Sequence, residues 1–116
     1  MNWILAVEWC IEKNLTQQAI TQLQEGLITQ VCKLQNLNIQ KFEDREIAKN
    51  IIRNASQFSP PFICEIRNPF RKLSDLRNDI NHAGYRSNPK DVNTIRVEVS
   101  DNFSIIKASI EKHNII

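Results

Sequence analysis

Four residues, Asn78, Asp79, Ile80 and Asn81, separate Arg77 from His82. Placed on a helix at about 100° per residue, Leu73, Leu76, Ile80 and Ala83 gather on one side. Arg77, Asn78, Asn81 and His82 fall in a continuous arc on the other. Such a row suits phosphodiester chemistry on RNA. An imidazole gives or takes a proton near neutral pH. A guanidinium stays cationic and holds phosphate oxygens, including charge that develops in the transition state. An amide orients either group or binds the ribose. RNA carries its own nucleophile, the 2′-hydroxyl, beside the phosphate. The enzyme then needs positioning, a proton carrier and charge stabilisation, but no metal and no protein nucleophile. The products expected are a 2′,3′-cyclic phosphate and a free 5′-hydroxyl. One histidine supplies one proton carrier, whereas the reaction uses a base and an acid. A two-fold dimer that brings two Arg-His pairs to one cleft would meet that need.

The helix that would carry this row is the best-bounded element of the sequence. Asn68-Pro69 is a strong helix start, since asparagine caps and proline suits the first helical position. Gly84 is a natural C-cap. Four further helices are expected. Trp3, Ile4, Val7, Cys10 and Ile11 form one helical face, ended by Asn14. Thr16 is expected to cap a second helix carrying Ile20, Leu23, Leu27, Val31 and Leu34. Gly26 lies inside that pattern at a cost of about 1 kcal/mol, which implies a close approach by a packing partner. The glutamines of this helix, Gln17, Gln18, Gln22, Gln24 and Gln30, read as solvated surface. Asp44 is expected to cap a third helix with Ile47, Ala48, Ile51, Ile52 and Ala55. Residues 56–68 contain Pro60 and Pro61 and read as a loop, pinned to the core by Phe58, Phe62, Ile63 and Ile66. Pro89 would open the last helix. Its Val92, Ile95, Val99, Phe103, Ile106 and Ile110 keep three- and four-residue spacing. Residues 95–99 also alternate like a strand, but the helical period on both sides favours a helix. The fold class is all-α, in one domain over residues 1–116.

Composition bounds the function. Among the 116 residues 41% are hydrophobic, enough for a real core. A net charge of +2 is too small to imply a nucleic-acid partner by itself. Only two glycines are present, and no glycine-rich phosphate loop or dinucleotide fingerprint occurs. Cys10, Cys32 and Cys64 form no CxxC pair and read as buried thiols in a reducing compartment. No apolar run reaches the roughly 20 residues that span a bilayer, and the N-terminus does not read as a signal peptide. A cytoplasmic protein is expected, with no membrane partner.

The stretch Arg77-Asn78-Asp79-Ile80-Asn81-His82 resembles the Arg-Asn-x3-His form of the Arg-x4–6-His motif of HEPN ribonucleases. Within that superfamily the chain is similar to the C-terminal effector domain of CRISPR-associated proteins that carry a CARF sensor. Ala6-Val7-Glu8-Trp9, with Leu15-Thr16-Gln17-Gln18-Ala19-Ile20-Thr21, is similar to the opening of that helical domain. The resemblance covers roughly residues 3–112, and its specific part is short. It implies a compact bundle of four to five helices. It also implies a homodimer with a composite, metal-independent RNase site and no cofactor. Arg77 and His82 match the motif's catalytic arginine and histidine, and Asn78 matches the polar residue that follows the arginine. Full-length relatives sense cyclic oligoadenylate through an N-terminal CARF domain. The chain would then be the C-terminal part of such a protein, a degenerate locus product or a stand-alone toxin-like relative. A role in antiviral defence is implied by the resemblance alone.

Arg67, Arg71, Lys72, Arg77, Arg86 and Lys90 surround the motif, against Glu65, Asp75 and Asp79. Single-stranded RNA is therefore the expected partner, with Asn81, Arg71, Lys72, Tyr85 and Arg86 as binding residues. Tyr85 suits base stacking, whereas Phe70 reads as core. Trp3 and Trp9 read as core or interface anchors. Asp75 and Asp79 have no third ligand beside them, so no metal is expected. His113, near the end of the chain, is not expected to act in catalysis, and Asp44, Arg45 and Glu46 read as helix-start and surface residues. A non-catalytic helical module for dimerisation or RNA binding is the alternative; a DNA-reading helix-turn-helix lacks its short preceding helix.

Overall fold

Asparagine followed by leucine or isoleucine shapes much of this chain. In the computed structural model, which describes residues 2–81 and 91–116, three helices end on that pair. The elements are α1 (Trp3–Glu12), α2 (Thr16–Leu34), α3 (Phe42–Arg53), α4 (Pro61–Asn81) and α5 (Val92–Lys112). Asn14, Asn36 and Asn114 have φ of 60°, 56° and 52°, the left-handed conformation that asparagine tolerates better than most residues. The following amide then reaches back: Leu15 N–H to Cys10 O at 2.8 Å, Leu37 N–H to Cys32 O at 2.8 Å, and Ile115 N–H to Ile110 O at 3.0 Å. These are Schellman closures. Each turns an apolar side chain back onto the core, where Leu15, Leu37 and Ile115 pack half-buried.

The starts of α2, α3, α4 and α5 differ from the sequence expectation. Thr16 is the first residue of α2, and Leu15, which has no capping side chain, precedes it. Asp44 lies inside α3, whose N-cap is Lys41. Its carboxylate accepts instead from Asn38 N–H at 2.8 Å, closing the α2–α3 connection. The last helix begins at Val92 rather than at Pro89, because Asp91 caps it, accepting from the Asn93 and Thr94 amides. The stretch 95–99 is helical, as its flanking period implied.

The largest correction concerns α4. It starts at Pro61, so residues 61–68 are helix rather than loop and Pro69 is interior. The proline that suits the first helical position is Pro61, and Cys64 N–H bonds to Pro60 O at 3.1 Å in the opening turn. An interior proline costs about 3 kcal/mol. Phe62, Ile63 and Ile66 before it, and Phe70, Leu73 and Leu76 after it, are all buried. Burying six such side chains is worth on the order of 10 kcal/mol, so the apolar face carries the helix through the proline. Phe58 contributes nothing to that face; it is 88% exposed.

α2 packs against all four other helices, α1 and α4 also touch α5, and α3 lies on α2 and α4. One buried cluster draws residues from all five helices. Gln24 and Gln30, expected on the surface, are buried. Both lie on the apolar face of α2, and both amides are satisfied. Gln24 donates to Ser74 Oγ at 2.8 Å, and Gln30 donates to Ile115 O at 3.4 Å. Arg45 is a clamp rather than a plain surface residue. It reaches the Glu25 carboxylate at 2.6 Å and also donates to Thr29 Oγ1 and the Glu25 and Ile39 carbonyls. The cysteines are free, Cys10 and Cys32 buried and Cys64 half-buried. Trp3 packs on the core, whereas Trp9 is 54% exposed. Among the described residues no helix is long and apolar enough to cross a membrane.

A polar latch joins the start of α4 to the end of α5. His113 Nε2 meets Glu65 Oε2 at 2.5 Å, Lys112 lies 3.5 Å from the same carboxylate, and Phe62 meets the imidazole edge-on. The hydrogen bond from His113 is the main cause that holds the Glu65 carboxyl below its usual range; the Lys112 charge adds to it and partial burial opposes it. A carboxyl lowered on folding stabilises the fold above its unfolded pKa, about 4.3, and that contribution is lost as pH falls through the folded value. Glu65→Gln should therefore melt below wild type at pH 7, with the gap closing on acidification past pH ~4. An equal gap at pH 7 and pH 3 would mean the residue acts by packing alone.

Candidate nucleic-acid interface

α4 presents one stripe to α3 and α2. Arg67, Phe70, Arg71, Ser74, Arg77 and Asn78 follow helical spacing along it. Arg77 and Asn78 line a cavity of about 170 Å³ with Ser74 and Phe70, and with Gln24, Glu25 and Ile28 of α2 and Lys49 and Arg53 of α3. An adjoining cavity of about 210 Å³ is lined by Arg53, Arg67, Phe70, Arg71 and Ser74. The two share Arg53, Phe70 and Ser74, so they form one groove with a common floor.

That floor is held by hydrogen bonds. Buried Gln24 donates to Ser74 Oγ at 2.8 Å and to Phe70 O at 3.4 Å, and the Ser74 hydroxyl donates to Phe70 O at 3.3 Å. The Gln24 tie crosses from α2 to α4, which fixes the helix that carries Arg77. Phe70, 1% exposed, closes the bottom. Arg67 Nε donates to Arg53 O at 3.3 Å, tying the end of α3 to the stripe.

The groove is cationic. Lys49, Arg53, Arg67, Arg71 and Arg77 line it, against one acid, Glu25. Arg45 occupies the Glu25 carboxylate at 2.6 Å, and Glu46 lies 3.4 Å from Lys49. Among the described residues, no carboxylate forms an ion pair with Arg53, Arg67, Arg71 or Arg77. Several guanidinium groups facing a recess between helices can hold the oxygens of consecutive phosphates.

Of the residues expected at the site, Arg77, Asn78 and Asn81 are exposed on α4, as the helical wheel implied, and Leu73 and Leu76 are buried. Asp79 is buried as well, although it was grouped with the charges around the motif. Arg71 lines the groove. Lys72 and Asn81 are exposed but line neither cavity. His82, Ala83, Gly84, Tyr85, Arg86, Pro89 and Lys90 lie outside the described residues, and with them the partner of Arg77 in the motif and the expected end of its helix. Lys49 and Arg53 were not anticipated. Their four-residue spacing places them on one face of α3, but only the packing of α3 on α4 brings them to Arg77. No family model, curated protein or solved structure matches the chain.

Proposed function

We propose that this protein is a metal-independent endoribonuclease that cuts single-stranded RNA at a composite site formed across a homodimer. The observation that carries the reading is the placement of Arg77 and Asn78, side by side and exposed, on a groove whose arginines form no ion pair among the described residues. The motif resemblance supplies His82 as proton carrier. In the step proposed, a base removes the 2′-hydroxyl proton and O2′ attacks the adjacent phosphorus. A P–O2′ bond forms, the P–O5′ bond breaks, and an acid protonates the departing O5′. His82 of one subunit and its copy in the other divide these two proton transfers. Arg77 neutralises the phosphorane charge, and Asn78 orients the phosphate or ribose. Action in the cytoplasm as a defence effector, under a CARF sensor or without one, belongs to the same reading.

The test is incubation of purified protein with end-labelled single-stranded RNA in the presence of EDTA. Fragments bearing 2′,3′-cyclic phosphate and 5′-hydroxyl ends support it. Intact RNA in the presence of a folded dimer, with or without a supplied sensor domain, would leave a non-catalytic binding module instead.

A further inference from the structure

We propose that a single RNA strand runs lengthwise in the groove between α3 and α4, with its phosphates held by Lys49, Arg53, Arg67 and Arg71 and passed along to Arg77. The inference rests on the ribonuclease reading for its substrate. It adds a binding track on α3 and commits the strand to the α3–α4 side of the helix, away from Lys72.

Three observations support this track. The cations are arranged along the groove, not clustered at a point. On α4, Arg67 and Arg77 are ten residues apart, about 15 Å of helix, which is a run of a few nucleotides. Lys49 and Arg53 supply a second rail, four residues apart on α3: Arg53 lines both cavities, and Lys49 the one that Arg77 also lines. Little counter-charge is left to the arginines among the described residues: the acid lining the groove, Glu25, is held by Arg45, and Glu46 bridges to Lys49 at 3.4 Å. Finally, the groove is recessed between helices, with Gln24, Ser74 and Phe70 among its lining residues. A flexible single strand can enter such a slot, whereas the phosphates of a duplex lie on a broad convex surface.

The lining also predicts what the track reads. Its aromatic residue, Phe70, is buried and offers no stacking face. The residues assigned to the strand, Lys49, Arg53, Arg67 and Arg71, are cations, so their contacts fall on the backbone, which carries no sequence information. Binding should therefore be indifferent to base sequence and to the 2′ substituent, and steeply dependent on salt. On single strands each neutralised phosphate contributes about 0.7 to the slope of log affinity against log salt.

The experiment measures binding of a fluorescent 2′-O-methyl RNA 12-mer, which cannot be cleaved by 2′-hydroxyl attack, across a salt series. Three proteins are compared: wild type, the Lys49→Gln/Arg53→Gln variant, and a Lys13→Gln/Lys33→Gln variant with the same charge removed from exposed positions elsewhere. Circular dichroism checks that each is folded. The proposal expects the α3 variant to lose about 1.4 from the salt slope and to bind roughly tenfold more weakly at 0.1 M salt. The remote variant should match wild type. Equal weakening in both variants would overturn the proposal, because it would mean diffuse attraction to net charge. So would unchanged binding in the α3 variant, or retention on anionic vesicles in preference to the strand. Natural RNA supplied in parallel separates the two readings. A strand held by Lys49 and Arg53 but left uncut keeps the track and removes the nuclease; a strand cut with unchanged binding in the α3 variant does the reverse.

Discussion

Gly26→Ala should destabilise the protein by about 1–3 kcal/mol, although alanine is the better helix former by about 1 kcal/mol. A Cβ built on Gly26 falls inside van der Waals contact of Trp3 Cδ2, Cε3 and Cε2. Two of these are the ring-fusion atoms of the indole, so a small swing of a side-chain tip cannot relieve the clash. Trp3 opens α1, and its ring packs across α2 at the one position without a side chain. To admit a methyl group, the indole must leave or the two helices must separate. Either outcome exposes apolar surface that now packs on the core. Urea or thermal unfolding measures the effect. Trp3→Ala alone should cost more, about 3–5 kcal/mol, because it empties the site. Combined with Trp3→Ala, Gly26→Ala should become neutral or stabilising, since the methyl then enters vacated space and helix propensity alone remains. A rise in stability for Gly26→Ala in the wild-type background would show that the indole yields freely.

The contrast between Gly26 and Pro69 shows what local sequence reveals. Each is a poor helix residue inside a helical apolar pattern. At Gly26 the pattern on both sides was continuous, so a helix with a packing reason was legible, and Trp3 is that reason. At Pro69 the pair Asn68-Pro69 imitated a helix start, while Pro60-Pro61 imitated a loop. The local signals were real, but the better start was Pro61, and burial of Phe62, Ile63 and Ile66 outweighed the interior proline. Amide side chains misled for a related reason. Gln24 sits four residues after Ile20 and three before Leu27, and Gln30 three after Leu27, along the apolar stripe, so their phase on α2 was informative and their polarity was not. The Asn-Leu and Asn-Ile pairs at 36–37 and 114–115 repeat the helix-ending chemistry that was read only at Asn14. For the site, one helix was legible and its neighbour was not. The periodicity of α4 shows which way Arg77 and Asn78 point. Nothing local to α3 indicates that Lys49 and Arg53 meet them, because that depends on which helices pack together.

Arg77→Ala and His82→Ala should each lower RNA cleavage by at least about 10²-fold while leaving folding intact. The reason differs for the two. Without Arg77 the phosphorane loses a fixed positive charge, and neither proton carrier changes, so the shape of the pH–rate profile should persist at a lower level. Without His82 the acid–base pair is broken, and the rise and fall of rate with pH should flatten. Arg77→Lys should recover only part of the loss, because an ammonium keeps the charge but cannot present a planar pair of donors to two phosphate oxygens. The proposed composite site makes a further demand. Both histidines serve one cleft in this reading, so a mixed dimer of wild type and His82→Ala holds two arginines but only one of its two proton carriers and should be nearly as slow as the His82→Ala homodimer. Exchanging wild type with an equal amount of His82→Ala after dissociation gives mixed dimers in about half of the assemblies, so cleavage per wild-type subunit should fall to about half. A single-chain site predicts no such loss, since every wild-type subunit would keep both of its groups. Neutralising Lys49 and Arg53 in wild-type dimers should lower cleavage as well, because the strand would then lose its path to the cleft.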